Sequence, residues 1–449
     1  MISAVRSGSG KTTVTAGVLM ALKKRGINIR AFKSGPDFID PAFHSRVLKV
    51  PSKNLDPFFS DDETLRYLYG RGADDEGIAV IEGAMGYYDG ISFEGDEGSS
   101  HSLAVSLSCP VVIVLDARGF AYTGAAVLKG LCSMRENSMI RGVIFNNITE
   151  KTYLKLSKAV EKETGLTPLG FLPGIKEISI DSRHLGLLLP DEVEDLDRKL
   201  SRLCEEVEKH IDIEGLVKLS REAEELTYKE PEKLKISEAP TGKKIAVTAD
   251  KALSFTYEDN LELIRSLGFE IEFFSPLEDK EIPKDASGLI LLGGYPEVYG
   301  RELSENKEMM ESIRNALKSG LPCIAECGGF MYLQDSLTGT DGKEYPMAGV
   351  FSGSRAERMG RLINFGYVTL TPDKENPLLH PGESIRGHEF HTYSCTDNGD
   401  IFNEVKPSDI ERKNAWKGIR REYNTFGGFP HLYYPSNPLF IKRFLSLCR

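Results

Sequence analysis

An α/β protein of two successive domains is the fold the sequence predicts, and three observations predict it. Short β-branched apolar runs alternate with helical stretches in the first half; a change to Glu, Lys and Leu with Pro and Gly interrupts the chain across 193–242; a second strand and helix alternation begins after it. The first domain is expected to be a doubly wound parallel sheet. "IAVIEGAMG" (78–86), "CPVVIVLDARG" (109–119) and "RGVIFNNI" (141–148) are continuous apolar runs, as strands buried on both faces require. "TVTAGVLMALKKRG" (13–26) has helical spacing and a Gly stop. Only "MISAV" precedes the first loop, so either the first strand is short or the true start lies upstream. Within the interruption, 195–226 reads as charged helices and the rest as linker. Beyond it, "KIAVTAD" (244–250), "FEIEFFSP" (269–276) and "GLILLGGYPE" (288–297) read as strands and "YEDNLELIRSLG" (257–268) as a helix. "LPCIAECGGFMYL" (321–333) reads as a strand feeding a helix through a sharp turn.

Composition narrows the function classes. A chain of 449 residues can bury two or three cores. Its 56 basic and 67 acidic residues give a net charge of −11 with no block of like charge, which argues against nucleic acid and against a membrane-binding arm. The seven cysteines lack C-x-x-C spacing, and neither a signal peptide nor an apolar run of about 18 residues is present. A reduced, cytoplasmic globular protein is expected.

The chemistry begins with "SGSGKTT" (7–13). A glycine-rich loop between strand and helix turns backbone N–H groups toward phosphate, and the helix N-terminus adds a favourable dipole. Gly8 and Gly10 permit the close approach, Ser9 and Thr13 complete the cradle, Lys11 is placed to reach the β- and γ-phosphates, and Thr12 to help hold Mg²⁺. The strict motif has Gly where this chain has Val5. "FKSGPDFIDPAFH" (32–44) and "IEGAMGYYDG" (81–90) should converge on the same edge, since ligands of open parallel sheets bind beyond the carboxyl ends of the strands. They bring Asp37, Asp40 and Glu82 as candidate metal and reaction acids. Asp116 is a further strand-end acid, open to a turn role, and Asn146 is placed either to read an adenine edge or to hold a turn.

In "CIAECGGFMYL" (323–333) an apolar strand ends at Cys327 and Gly-Gly follows. This is the thiol form of the nucleophile turn, with a helix N-terminus expected to lower the thiol's pKa. His431 in "FGGFPHLYYPSNP" (426–438) is the candidate base; His388 and His391 in "RGHEFHTYS" (386–394) are candidate bases or substrate contacts, and nothing complements them as zinc ligands. The Gly293-Gly294 turn in "LLGGYPEVYG" (291–300) is placed to supply oxyanion donors.

Taken in order, "SGSGKTT", "KSGPDFIDPAFH", "IEGAMGYYDG", "RHLGL" (183–187), "FTYEDNLELI" (255–264), "FFSPLEDKEIP" (273–283), "LLGGYPEVYG", "AECGGFMYL" (325–333), "RGHEFH" and "HLYYPSNP" resemble the cobyrinate a,c-diamide synthase family. These are glutamine-dependent amidotransferases of corrinoid biosynthesis. The resemblance implies a dethiobiotin-synthetase-like P-loop amidoligase domain over 1–192 and a class I glutamine amidotransferase domain over 243–449, separated by the charged segment 193–242. It further implies ATP and glutamine as co-substrates, Mg²⁺ as cofactor and a tetrapyrrole carboxylate as substrate, and it leaves a homodimer open. Carried over by position, Lys11 and Thr12 hold ATP and metal, Asp37, Asp40 and Glu82 serve metal or substrate activation, Cys327 attacks glutamine and His431 assists it. The broader class often places Glu two residues after the histidine, where this chain has Tyr433 and close relatives a second His, so a dyad is implied or a third member lies elsewhere. Two other readings share parts of the pattern. Nickel-sirohydrochlorin a,c-diamide synthases share the architecture, and ATPase switches of the ParA/MinD kind share the loop, with Arg6 standing where they carry a Lys.

Overall fold

The computed structural model describes residues 1–73, 77–174, 196–409 and 413–448. It divides into two compact units, Met1–Pro231 and Glu232–Arg449.

In the first unit, β1 (Ile2–Ala4), β2 (Ile29–Ser34), β3 (Ser52–Leu55), β4 (Ile78–Glu82), β5 (Val111–Asp116), β6 (Ile140–Asn146) and β7 (Thr167–Leu172) form one sheet in the order β3-β2-β4-β1-β5-β6-β7. Every pairing in it is parallel. Both faces are covered, which is why β5 is buried at every position and reads as an unbroken apolar run. Although β1 has only three residues, it lies in the middle of the sheet, so the glycine loop that follows it opens at the central crevice of the carboxyl edge. Helix α1 (Lys11–Lys24) leaves that loop without a side-chain cap, and its first N–H groups stay available to an anion.

The charged helices Leu196–His210 and Ile213–Arg221 belong to this first unit rather than to a separate connecting segment. An apolar stripe joins them to it: Leu200, Leu203 and Val207 share a core with Val14, Val18 and Leu22 of α1, and the buried Glu206 is met by Arg202 at 2.7 Å. Gly17 permits the approach, since a Cβ there would stand 2.5 Å from Val207 Cγ2. Arg25 adds a two-pronged ion pair to Glu208 at 2.9 and 3.1 Å.

The second unit contains β8 (Lys244–Thr248), β9 (Leu253–Phe255), β10 (Glu270–Phe274), β11 (Ala286–Leu291), β12 (Gly293–Gly294) and β13 (Cys323–Glu326), then β14 (Gln334–Thr338), β15 (Glu344–Pro346), β16 (Phe351–Pro372), β17 (Ile385–Cys395), β18 (Phe402–Val405), β19 (Trp416–Gly418), β20 (Arg420–Glu422), β21 (Thr425–Gly428) and β22 (His431–Leu432). Its main sheet runs β10-β8-β11-β13-β21-β20, parallel except for the last pair. Alternate residues serve two cores: Ala246, Leu289, Leu291, Cys323 and Ala325 enter one, Ile245, Val247, Ile290 and Ile324 the other.

A second sheet, built largely of antiparallel pairs around the 22-residue β16, is absent from the sequence reading. The reason lies in β17, whose alternate buried positions are Ile385, Gly387, Glu389, His391, Tyr393 and Cys395. Polar residues on the inward face erase the hydrophobic alternation by which a one-sided strand is recognised.

Candidate active sites

The first site is built where β1, β2 and β4 end. The loop after β1 passes through Gly8 and Gly10 with φ of 74° and 93°, left-handed conformations that only glycine adopts without strain. At Gly10 a Cβ would also stand 2.1 Å from Asn146 Nδ2. That amide donates to the Ser9 carbonyl at 2.9 Å, while Asn146 Oδ1 accepts the Asn147 N–H at 3.0 Å. The end of β6 thus fastens the loop from beneath. Lys11, buried, donates to the Met85 carbonyl. Burial first and the neighbouring Lys33 charge second bring its ammonium down to about 8. Thr12 Oγ1 donates to Glu82 Oε1 at 2.7 Å, and Thr13 stands in the same first turn of α1.

Asp37, Asp40 and Glu82 converge on the buried ammonium of Lys33. It donates to Asp40, lies 2.9 Å from Glu82 Oε1 and 4.0 Å from Asp37 Oδ2. His44 Nε2 stands 3.3 Å from the other Glu82 oxygen. Burial would raise Glu82, but Lys33 and His44 hold it far below the ordinary carboxylate range. Burial and the Glu82 charge instead push Asp40 up, against the pull of Lys33. Lys33 itself is raised: burial disfavours its charge, and the surrounding acids outweigh that. Asp37 uses Oδ1 to accept the Ile39 and Asp40 N–H groups at 2.7 and 3.3 Å, starting α2 (Ile39–Arg46).

Neighbouring hydroxyl and carboxylate oxygens on Thr12 and Glu82 suit Mg²⁺, a hard cation that takes few protein ligands and completes its shell with phosphate and water. Among the described residues no three His, Cys, Asp or Glu side chains form a metal centre by themselves. Asp116 is engaged otherwise, by a two-pronged pair to Arg118 and by Asn147 Nδ2 at 3.1 Å, with Arg6 3.7 Å away.

The second site is built around the turn after β13. Cys327 has φ 46° and ψ −104°, a strained conformation for a residue with a Cβ, between the strand and the helix Gly328–Tyr332. Its N–H donates to the Gly428 carbonyl at 2.7 Å, at the end of β21, and the chain reaches His431 three residues later. The Gly293-Gly294 pair, expected as a turn, is the short strand β12 held antiparallel to β9, and it approaches both groups. A Cβ on Gly293 would stand 2.1 Å from His431 Cε1, and one on Gly328 would stand 2.9 Å from the Gly294 nitrogen. Only glycines let thiol turn, imidazole and backbone donors come so close. The segment carrying His431 is fixed from two sides: Asn260 Nδ2 donates to the Leu432 carbonyl at 2.8 Å, Tyr433 Oη to Asp259 at 3.0 Å, and Tyr434 Oη to Glu326 at 3.1 Å.

Burial pushes the Cys327 thiol well up, helped by the charges of Glu297 and Glu389, and brings His431 down to about 3. The expected lowering of the thiol by a helix N-terminus is therefore overturned, because five helical residues supply little dipole against complete desolvation. Burial thus disfavours the charged form of thiol and imidazole alike.

A family model for a CobQ/CobB/MinD/ParA nucleotide binding domain matches residues 1–187, and one for a CobB/CobQ-like glutamine amidotransferase domain matches 244–438. The chain is 37% identical to the cobyrinate a,c-diamide synthase of Listeria innocua serovar 6a over 99% of this chain and 98% of that one. It is 40% identical to the enzyme of the same name from Clostridium tetani over 99% of each chain. The chain belongs to the cobyrinate a,c-diamide synthase family. As a member of that family it is an ATP-dependent amide ligase with glutamine as nitrogen donor.

Within this member of the cobyrinate a,c-diamide synthase family, the loop, the three acids and Thr12 are brought together in the first unit, and Cys327, His431 and the Gly-Gly pair in the second. The motif 183–187 lies outside the described residues. His388 pairs with His431 across β17 and β22. His391 has both ring nitrogens engaged, by the Tyr393 carbonyl at 2.6 Å and Glu389 at 2.8 Å. Lys33 and His44 are the functional-site residues that the sequence reading missed. The available signal was a lysine inside the buried strand "IRAFKS" (29–34), whose charge demands partners.

Proposed function

We propose that the protein amidates the a and c carboxylates of cobyrinate through acyl-phosphate intermediates, giving cobyrinate a,c-diamide with glutamate, ADP and phosphate. The observation that carries this reading is the likeness, over nearly the full length, to enzymes of that name. A carboxylate resists attack by ammonia, and phosphorylation supplies a leaving group. In the first unit the loop N–H groups and Lys11 bind the phosphates of ATP, while Asp40 and Lys33 orient the substrate carboxylate. Thr12, Glu82 and Asp37 would hold Mg²⁺, which when bound neutralises phosphate charge.

In the second unit Cys327 Sγ attacks the carboxamide carbon of glutamine as His431 takes the thiol proton. The backbone at Gly293-Gly294 supports the oxyanion, and the proton passes to departing ammonia. Water then hydrolyses the thioester to glutamate. Burial that disfavours charge on both groups fits proton transfer in step with attack. The seven free cysteines suit the reducing cytoplasm.

The test combines ATP, glutamine and either cobyrinate or nickel-sirohydrochlorin, with product masses as readout. A diamide from cobyrinate is expected, and amidation of the nickel compound alone would reassign the substrate. Cys327→Ala should lose glutamine-driven amidation and keep the ammonia-driven reaction. If the unaltered protein makes no amide from either nitrogen source, the reading fails.

A further inference from the structure

Next to Cys327 lies a group of side chains that the glutaminase chemistry above does not use. After the Gly293-Gly294 pair the chain runs through Tyr295 and Pro296 to Glu297. This stretch presses on the thiol turn, since a Cβ on Gly328 would stand 2.9 Å from Pro296 Cδ. The Glu297 backbone is tied down by the Thr340 N–H at 3.1 Å. Its carboxyl, raised by burial to about 7, is held lower than it would otherwise be by the charge of Arg358. The same carboxylate raises both Cys327 and Tyr393, and these two side chains lie in one buried cluster. Arg358 and Tyr393 are direct cross-strand partners on β16 and β17. Arg358 is exposed, and the Tyr393 hydroxyl is buried with no hydrogen-bond partner among the described residues, a costly state unless a ligand meets it.

The neighbourhood of the thiol thus holds one acid, one guanidinium and one unsatisfied hydroxyl. Glutamine presents its carboxamide carbon roughly 4 Å along an extended chain from an α-carbon that carries both an ammonium and a carboxylate. We propose that Glu297, Tyr393 and Arg358 form the seat for the amino-acid end of glutamine. Glu297 accepts the α-ammonium, Arg358 at the mouth pairs with the α-carboxylate, and the Tyr393 hydroxyl donates to that carboxylate. The inference rests on the glutaminase reading and deepens it, because it assigns substrate selectivity to residues outside the Cys327 and His431 pair.

Glutaramate, which is glutamine without the α-amino group, separates the roles. The unaltered full-length enzyme should use glutamine far better than glutaramate. Glu297→Gln should raise KM for glutamine by about 10- to 100-fold, the scale of a lost hydrogen bond to a charged group, while changing the kcat/KM for glutaramate little. Tyr393→Phe and Arg358→Ala should weaken both compounds, since both carry the carboxylate. All three variants should keep ammonia-driven amidation, and an unchanged unfolding transition of the second unit shows that this unit folds. An equal loss for glutamine and glutaramate in Glu297→Gln, or an unchanged KM for glutamine, overturns the proposal. If the unaltered enzyme consumes ammonia but never glutamine, the glutaminase reading itself falls and takes this inference with it.

Discussion

At the scale of the residue, the first site turns on Lys33, a buried cation among Asp37, Asp40 and Glu82. Removing one partner of a buried charge cluster leaves the others uncompensated, which costs about 3–5 kcal/mol. Lys33→Met is therefore expected to lower stability by that order. Glu82, held below its ordinary 4.5, stabilises the fold above that value, and the contribution fades as pH falls through its folded pKa. Lys33, held above 10.5, stabilises the fold below that value and loses the effect as pH rises through its folded pKa. In the variant the Lys33 contribution vanishes, that of Glu82 is weakened to what His44 supplies, and Asp40 and Glu82 take up protons more readily. The deficit against the unaltered protein should thus shrink as pH is lowered from about 8 to about 5. Urea titrations at the two pH values measure it, and an equal deficit at both would refute the electrostatic account. The acids were legible in the sequence as polar residues at strand ends and beside prolines. Lys33 and His44 were not, because their importance comes from what packs around them rather than from their neighbours in sequence.

At the scale of the element, the turn after β13 stores strain in Cys327, whose φ of 46° and ψ of −104° suit glycine better. Cys327→Gly should abolish glutamine use while raising stability by about 1–2 kcal/mol, seen as a higher Tm. A lower Tm would mean that the thiol contributes packing that outweighs the strain. Strand, turn and helix here were readable as "CIAECGGFMYL", since local chemistry sets a sharp turn. The sheet around β16 was not. Its inward positions on β17 include Glu389 and His391, held by each other and by Trp416 Nε1 on Glu389 at 3.3 Å, and the last pairing joins segments apart in the chain.

At the scale of the whole molecule, each unit has its own core and its own site. Calorimetry should resolve two unfolding transitions. ATP with Mg²⁺ should raise one of them and a glutamine analogue the other, each by about 3 kcal/mol at a hundredfold excess over Kd. One transition raised by both ligands would contradict the independence of the two sites. The break between units at Pro231 and Glu232 follows from the charged helices, whose apolar stripe is committed to α1.

Sequence by itself determined the strand and helix alternation of the two parallel-sheet regions, the glycine loop, the acids near it and the thiol turn, because propensity, periodicity and turn chemistry act over a few residues. The tertiary structure alone decided that Lys33 and His44 complete the first site, that glycines at 293 and 328 admit the imidazole and the thiol turn to one place, and that burial rather than a helix dipole governs Cys327. Desolvation and long-range contact exist only once distant segments have packed, so no local pattern carries them.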